Sequence, residues 1–559
     1  MAELHSFFSP TRLLRPALAL LVLLLLGQQA LAAPSDEQRN LEELRNTVVN
    51  LLQSLVERGV LTREQAEALV KSAQDKAAAD VAARAAQEQQ QQKEEANAVR
   101  VPYVPQIVKD EIKKEVVSEL EPGVKQQVAQ DIVSSGQLAS VLPDWMRHMT
   151  WTGDVRVRDE GDLFAADNLP FSYDDYNQIN SKGGIVKAGE LAYLNTTEDR
   201  NRPRLRVRFG FDDDLGAGWS AGVRVATGAG EIFVTTNQTL GTYGQKYQVA
   251  LDQGYVRWAH ESSSGRQDFS ATAGRFANPL LGGTDLIWYT DLTFEGIAST
   301  YRLNLSSDRA HRWDLFATAG AFPLTTYALL DPNPFGANKW LGTGQLGLDF
   351  HTQNDSRYAL AAGYYDFVNT VGQRNPPGST LYNWTAPGLF QKGNTVFDIS
   401  NSTDPTVNLF ALAAAYRVVH LSALADVRLW RYSMSLTADA VRNIGFNENQ
   451  VSALVGSYVA PRTRGYDVSL GFGSPTLNAF GDWRASVGYR FVERDAVMDA
   501  FNDEDFHLGG TDTKGYTLIF DYAFNPHVFA RAKYMAADTI DGPIPLGIDV
   551  WEIDLNTRF

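Results

Sequence analysis

Residues 204–214 read RLRVRFGFDDD, and this stretch decides the fold. Its charged and apolar positions alternate, with Arg204, Arg206 and Arg208 set against Leu205, Val207, Phe209 and Phe211. Successive side chains of a β-strand point to opposite faces, so such a strand has one charged face and one apolar face. The stretch therefore predicts a wall that separates water from a nonpolar medium.

The same period of two recurs from Trp151 to Phe559, in segments of the length that crosses a bilayer at a tilt. The connections between segments alternate in length. Short ones cover residues 213–218, 353–356 and 525–526, and long polar ones cover residues 159–200, 228–248, 367–405 and 493–513. Short turns on one side and long loops on the other are typical of outer-membrane barrels. A soluble sandwich would not alternate its turn lengths so regularly.

We predict an all-β transmembrane barrel of about 16 antiparallel strands, with the long loops outside the cell. The stretch Val418–Trp430 is the uncertain one. We interpret it as a periplasmic turn, because a strand there would place the long 443–464 loop on the wrong side.

The N-terminal residues predict a different kind of structure from the strands that follow. Arg12 and Arg15, the apolar run 17–26 and the Ala30-Leu31-Ala32 site predict a signal peptide over 1–32. Residues 33–100 carry apolar positions at spacings of three and four, which predicts a helical hairpin or coiled coil in the periplasm. Residues 101–148 predict a proline-containing linker with short amphipathic helices, and the barrel is expected over 149–559.

Composition excludes several classes of function. The net charge of −16 argues against nucleic-acid binding, and the absence of cysteine excludes disulfides, thiolate metal sites and cysteine nucleophiles. No paired histidine motif or nucleophile elbow occurs, so we expect no enzyme, no cofactor and no metal. The acidic stretch Asp499–Asp505 lacks the spacing of a calcium loop.

The segment from Trp551 to Phe559 is amphipathic, with Trp551, Ile553, Leu555 and Phe559 on one face. An amphipathic strand that ends in phenylalanine resembles the signal read by the barrel assembly machinery, so we expect this machinery as a partner. Alternatively, this segment is an edge strand whose amphipathic pattern arises by chance.

Five further stretches carry a family resemblance: VPYVPQIVKDEIKKEV (101–116), LPDWMRHMTWTGDVRVR (142–158), NTTEDRNRPRLRVRFG (195–210), TTNQTLG (235–241) and AGRFANPLLGGTDLIWYTDLTFEG (273–296). Together they make the chain similar to the putative porin family of Gram-negative bacteria. The resemblance implies a barrel and a pore, and it implies little about the solute.

The polar strand faces predict a water-filled lumen, since charges that face lipid are costly. The expected inward arginines are Arg156, Arg158, Arg204, Arg206, Arg208, Arg224, Arg275 and Arg302. In 16-stranded porins, the loop after the fifth strand folds inward, and here that loop is 277–294. Its Asp285 and Asp291, followed by Glu295, would supply the counter-charges. We expect Arg204, Arg206, Arg208, Asp285 and Asp291 to form the constriction; alternatively, the loop covers the outer mouth.

The expected function is passive diffusion of small hydrophilic solutes or ions across the outer membrane, among lipid and lipopolysaccharide. A homotrimer is expected by analogy with porins of this size. The alternative is a structural envelope protein, in which the 35–138 helices bind peptidoglycan or another partner and the barrel serves as an anchor. A barrel enzyme would need Ser, His and Asp groups that converge on one rim, and the sequence does not indicate them.

Overall fold

The computed structural model describes residues 148–306, 311–326, 337–542 and 544–559. The predicted signal peptide (1–32), helical region (33–100) and all but the last residue of the linker (101–148) lie outside the described residues. None of the described helices is long and apolar enough to cross a membrane.

The described chain forms one antiparallel sheet of 17 strands that closes on itself, because the last strand pairs with the first. One of the 17, β4 (Gln238–Thr239), has only two residues, so the wall contains sixteen strands. The wall strands are β1 (Met149–Phe164), β2 (Arg200–Gly216), β3 (Trp219–Ala226), β5 (Ala250–Glu261), β6 (Gln267–Ala277), β7 (Thr293–Asn304), β8 (His311–Thr325), β9 (Lys339–Thr352), β10 (Arg357–Val368), β13 (Arg417–Leu429), β14 (Tyr432–Asn443), β15 (Arg464–Gly473), β16 (Trp483–Val492), β17 (Thr513–Asn525), β18 (Val528–Thr539) and β19 (Gly547–Arg558). This confirms the predicted barrel.

Short elements lie in the loops. They are the strands β4 (Gln238–Thr239), β11 (Val396–Asp398) and β12 (Phe410–Leu412), the helices α1 (Tyr176–Lys182), α2 (Ile185–Ala188) and α3 (Glu448–Val455), and the 3-10 helices Gly189–Ala192, Asn383–Thr385, Asp499–Phe501 and Phe506–Leu508.

The two faces of the wall differ in exposure as the alternation predicts. In β2, Phe209 is 43% exposed on the outer face, whereas Arg204 on the inner face is 3% exposed. Large apolar side chains such as Val223, Leu518 and Leu555 are exposed on other strands. In water this surface would be unfavourable, so it is the face that hydrocarbon covers.

The longest connections all lie at one end of the barrel. The turns 217–218, 262–266, 353–356, 430–431, 474–482 and 526–527 lie at one end, and the loops 165–199, 227–249, 278–292, 369–416, 444–463 and 493–512 lie at the other. Strand β1 continues to Phe164, so the first long loop begins later than the predicted position 159.

The interpretation of Val418–Trp430 as a turn was wrong. Residues Arg417–Leu429 form the wall strand β13, paired with both β10 and β14. The lumen-facing positions include the buried His420 and Ser422. The loops still lie on the correct side, because the apolar run 410–414 packs inside loop 369–416 and does not cross the membrane.

Five of the long loops contribute side chains to one apolar core. Leu286 and Trp288 of loop 278–292, Leu412 of loop 369–416 and Met498 of loop 493–512 belong to one buried cluster. Inward side chains of the wall, such as Phe322, complete the cluster. Burial of this apolar surface stabilises the loops against the wall.

Aromatic side chains cover glycines at the seam between β1 and β19. A side chain at Gly161 would overlap the Trp551 indole, and one at Gly153 would meet the Phe559 ring. The Gly153 N–H donates to the Phe559 carbonyl at 2.9 Å, and the Phe559 N–H donates back at 3.0 Å. Aromatic packing over strand glycines is a known means of fixing strand register.

Candidate functional site

A row of arginines lies on the inner face of β1 and β2, and five of them are neighbours at its centre. The strand register pairs Arg156 with Arg206 and Arg158 with Arg204, and Arg208 follows on β2. We call these five residues the arginine ladder. Adjacent guanidinium groups repel one another, so the ladder requires carboxylates nearby.

The wall itself supplies some of the carboxylates. The Arg206 Nε and Arg208 Nε donate to the two oxygens of Asp154, at 2.9 and 2.7 Å. The Arg204 Nη1 donates to Glu160 at 3.1 Å. Asp154 and Glu160 occupy the same face of β1 as Arg156 and Arg158, so one strand face carries two guanidinium groups with a carboxylate on either side.

Loop 278–292 crosses the lumen to reach the opposite wall. The backbone N–H groups of Gly283 and Thr284 donate to Asp439 of β14 at 3.0 and 2.6 Å, and the Thr284 hydroxyl does so at 2.7 Å. Gln345 of β9 exchanges two 2.8 Å hydrogen bonds with the backbone of Leu281. The loop is therefore anchored inside the barrel by side chains that face the lumen.

The other end of this loop brings Asp291 to the ladder. Its carboxylate accepts from Arg208 at 3.0 Å, from Arg206 at 3.3 Å and from the Thr236 hydroxyl at 2.7 Å. Burial alone would raise the pKa of Asp291, but the positive charges of Arg206 and Arg208 outweigh burial and lower it. The carboxylate is therefore ionised and charge-paired.

Loop 493–512 supplies a second set of carboxylates. Asp505 accepts from Arg158 at 3.2 Å, and Glu504 accepts from Arg204 at 3.4 Å. Asp503 accepts from Arg490 of β16 at 3.0 Å. Despite burial, Arg158 and Lys533 hold the pKa of Asp505 well below its usual range. The Tyr289 hydroxyl also donates to Asp505 at 3.0 Å, which joins the two loops.

Glu160, Asp505 and Glu552 place carboxylate oxygens within 4.8 Å of one another, a spacing that could hold a metal ion. The Arg158 guanidinium fills this position, because its Nη1 lies 3.6, 3.2 and 2.8 Å from the three carboxylates. A protein cation therefore occupies the place that a metal ion would take, and the residues present do not fit a metal.

Asp285 does not meet the ladder. The Thr290 hydroxyl donates to it at 2.5 Å, and burial together with the neighbouring Asp503 raises the pKa of Asp285 to about 6. Arg204, which we expected to face Asp285 and Asp291, is paired instead with Glu160 and Glu504. Arg156 donates to the Asn237 side chain.

The remaining predicted positions lie apart from the ladder. Arg224 donates to Asp252 at 2.5 Å, and Arg302 lies over the Phe316 ring, 4.0 Å from Asp349. Arg275 of β6 pairs with Glu295 of β7. Each is next in sequence to a buried phenylalanine, Phe276 and Phe294 respectively. Of the predicted assembly residues, Ile553, Leu555 and Phe559 are exposed on the outer face, and Trp551 covers Gly161.

Sequence reasoning missed the carboxylates of the wall and of loop 493–512. The signal for the wall residues was present, because Asp154, Glu160 and Asp162 share the parity of Arg156 and Arg158. The signal for the loop was the acidic run Asp503–Asp505, placed opposite a lumen rich in arginine. Which loop folds inward is decided by tertiary contacts, so it could not be read from the run alone.

None of the curated proteins matches the chain. Similar solved structures include OprB of Pseudomonas putida at high pH, with 12% identity, 76% of this chain and 97% of that chain covered, and a TM-score of 0.41. A loop L8 deletion mutant of Vibrio cholerae OmpT has 12% identity, coverage of 74% and 100%, and a TM-score of 0.37. Salmonella typhi OmpF in complex with daunomycin has 9% identity, coverage of 74% and 97%, and a TM-score of 0.37.

The family model is the stronger finding, because it matches residues 45–559 and carries the description "putative porin". It agrees with the closed barrel, with the apolar outer face and with the resemblance seen in residues 101–296. The chain belongs to the putative porin family of outer-membrane proteins.

Proposed function

We propose that small hydrophilic solutes or ions diffuse passively through a constriction lined by the arginine ladder and loop 278–292. The observation that carries this proposal is the contact of Asp291, on a loop that crosses the lumen, with Arg206 and Arg208. Guanidinium groups and a paired loop carboxylate give the constriction a charged lining, which favours polar solutes over apolar ones.

The ladder divides into an accessible part and a buried part. The side chains of Arg206, Arg208 and Asp154 are 13%, 19% and 22% exposed, whereas those of Arg158 and Arg204 are each 3% exposed. The accessible groups are the ones that a solute can approach. Arg158 and Arg204 hold loop 493–512 to the wall, and their role is structural.

Further along the lumen, partly exposed arginines such as Arg224 and Arg302 pair with carboxylates of neighbouring strands. Alternating charges of this kind give a water-filled passage without a strong net field. Ion preference would therefore be set at Arg206, Arg208, Asp154 and Asp291.

We assign residues 33–100 to a helical periplasmic region, Trp551 to Phe559 to recognition by the barrel assembly machinery, and the assembled barrel to a homotrimer. The first two assignments rest on sequence patterns, and the homotrimer rests on analogy with porins of this size. Deleting residues 35–138 tests the alternative tethering role, because a pore would still conduct whereas a tether would lose its attachment to the envelope.

Planar-bilayer recording under a salt gradient tests the proposed function. We expect stepwise conductance from the full chain, with a reversal potential that changes when the accessible ladder charges change. Insertion of folded barrels without conductance would contradict a diffusion channel.

A further inference from the structure

A cavity of about 350 Å³ lies inside the loop end of the barrel. Its walls are formed by the inner faces of β7, β8 and β9 and by four loops, which contribute Phe233, Trp288, Leu389 and Phe501. The volume lies within the range of small-molecule sites, which are mostly apolar with a few placed polar groups.

Aromatic side chains dominate this cavity. Trp288 packs edge-on against Phe294 at 5.1 Å between ring centroids and lies 5.9 Å from Phe501. Phe294 packs edge-on against Phe322 at 4.9 Å, and Phe233 lies 5.5 Å from Phe501. Such a lining favours a flat aromatic group that can stack or meet ring edges.

A positive charge faces the same cavity. Lys339 is 5% exposed, and its ammonium group donates to the carbonyls of Thr385 and Ala386, at 3.2 and 2.9 Å. Among the described residues, no carboxylate lies within 4 Å of it. An ammonium group has three N–H donors, so these carbonyls leave one donor and the full charge uncompensated.

The other charged groups of the lining cancel, because Glu295 is paired with Arg275. The Thr293 hydroxyl also borders the cavity, is 8% exposed and has no hydrogen-bond partner among the described residues. A buried cation and a buried free hydroxyl beside an apolar cavity are the groups that a bound anion would satisfy.

We propose that this cavity binds a small aromatic carboxylate of one or two rings, with the ring among Trp288, Phe294 and Phe501 and the carboxylate against Lys339 and Thr293. The inference rests on the proposed function, since it names a solute class for the same lumen. The ligand would slow its own passage and obstruct that of other ions while it is bound.

The test uses full-length protein in planar bilayers, with KCl conductance recorded before 2-naphthoate is added. We expect a concentration-dependent block by 2-naphthoate and at least tenfold weaker block by the neutral 2-naphthamide. Lys339→Gln should weaken the 2-naphthoate block at least tenfold, while its side-chain amide can still donate to the Thr385 and Ala386 carbonyls. Lys246→Met removes an exposed loop lysine and should change nothing.

A second variant covers the case in which Lys339→Gln does not fold. Phe233 is 47% exposed at the cavity wall, so Phe233→Ala should fold and weaken the block at least threefold. Equal block by the carboxylate and the amide, or unchanged block in a folded Lys339→Gln or Phe233→Ala channel, would overturn the inference while KCl conductance still supported a pore. Loss of KCl conductance in the wild-type protein would instead reject the channel itself.

Discussion

Replacing Arg206 by glutamine removes one positive charge from the group that it forms with Arg208, Asp154 and Asp291. Two guanidinium groups and two carboxylates sum to zero, so the variant leaves a net charge of −1 at the proposed constriction. The glutamine amide can still donate an N–H to the carboxylates. The contact with loop 278–292 is therefore weakened but does not become repulsive.

The size of the effect follows from Coulomb's law. A monovalent ion about 5 Å from the uncompensated charge, in water, gains or loses about 0.8 kcal/mol. Screening at 0.1 M salt, with a Debye length of about 10 Å, reduces this to about 0.5 kcal/mol. Cation entry then rises and anion entry falls by about 2.3-fold each, which changes the cation-to-anion permeability ratio about fivefold.

The assay is the reversal potential across a planar bilayer with KCl gradients at low and high mean concentration. The shift toward cations should shrink to less than about twofold in permeability ratio near 1 M salt, because the Debye length falls to about 3 Å. Arg312→Gln removes a charge at the opposite end of the barrel and should leave the ratio unchanged. An unchanged ratio in a conducting Arg206→Gln channel at 0.1 M salt would show that Arg206 is not at the constriction.

Three further perturbations test the loops and the seam. Asp439→Ala removes the acceptor of three loop hydrogen bonds, so loop 278–292 should loosen, with a higher single-channel conductance and a loss of about 1–3 kcal/mol of stability; wild-type conductance would contradict the anchor. Burial raises the pKa of Asp499 to about 7, so the stability that its protonated form contributes is complete below its unfolded pKa of about 4 and is lost as pH rises through about 7. The melting temperature of Asp499→Asn should therefore fall less than that of wild type between pH 5 and 8. Parallel curves of melting temperature against pH would refute this. Phe559→Ala should reduce the heat-modifiable barrel recovered from the outer membrane several-fold, whereas an exposed-loop change such as Tyr243→Ala should not; equal recovery would remove Phe559 from the assembly signal.

Much of the barrel was predictable because membrane strands obey one simple rule. The alternation in 204–214 depends only on backbone geometry and on the cost of charge in hydrocarbon, both of which are local. The rule failed at β13 because the nearby run 410–414 is also apolar and therefore resembles a membrane-crossing segment. In the structure, the alanines and the leucine of this run are buried in a loop. A segment buried in a loop core and a segment that faces lipid both appear in the sequence as runs of apolar residues.

The candidate site was predictable only on the wall side. The parity of Arg206 and Arg208 places them in the lumen, and their positive charges imply nearby carboxylates. Asp291, and not Asp285, pairs with Arg206, and Glu504 pairs with Arg204. These pairings depend on where two loops lie after folding. No local pattern contains that information, because the partners of Arg204 are up to 300 positions away in the chain.

The seam between β1 and β19 has a consequence for how the protein is made. Arg158 and Asp554 are 396 positions apart, yet they are hydrogen-bonded neighbours across it. Until both strands are present, two rows of backbone N–H and C=O groups lack partners, and such edges are templates for aggregation and cannot be left in hydrocarbon. A nascent chain cannot insert strand by strand as it emerges, so it must be held in an unfolded, chaperoned state until synthesis has reached β19.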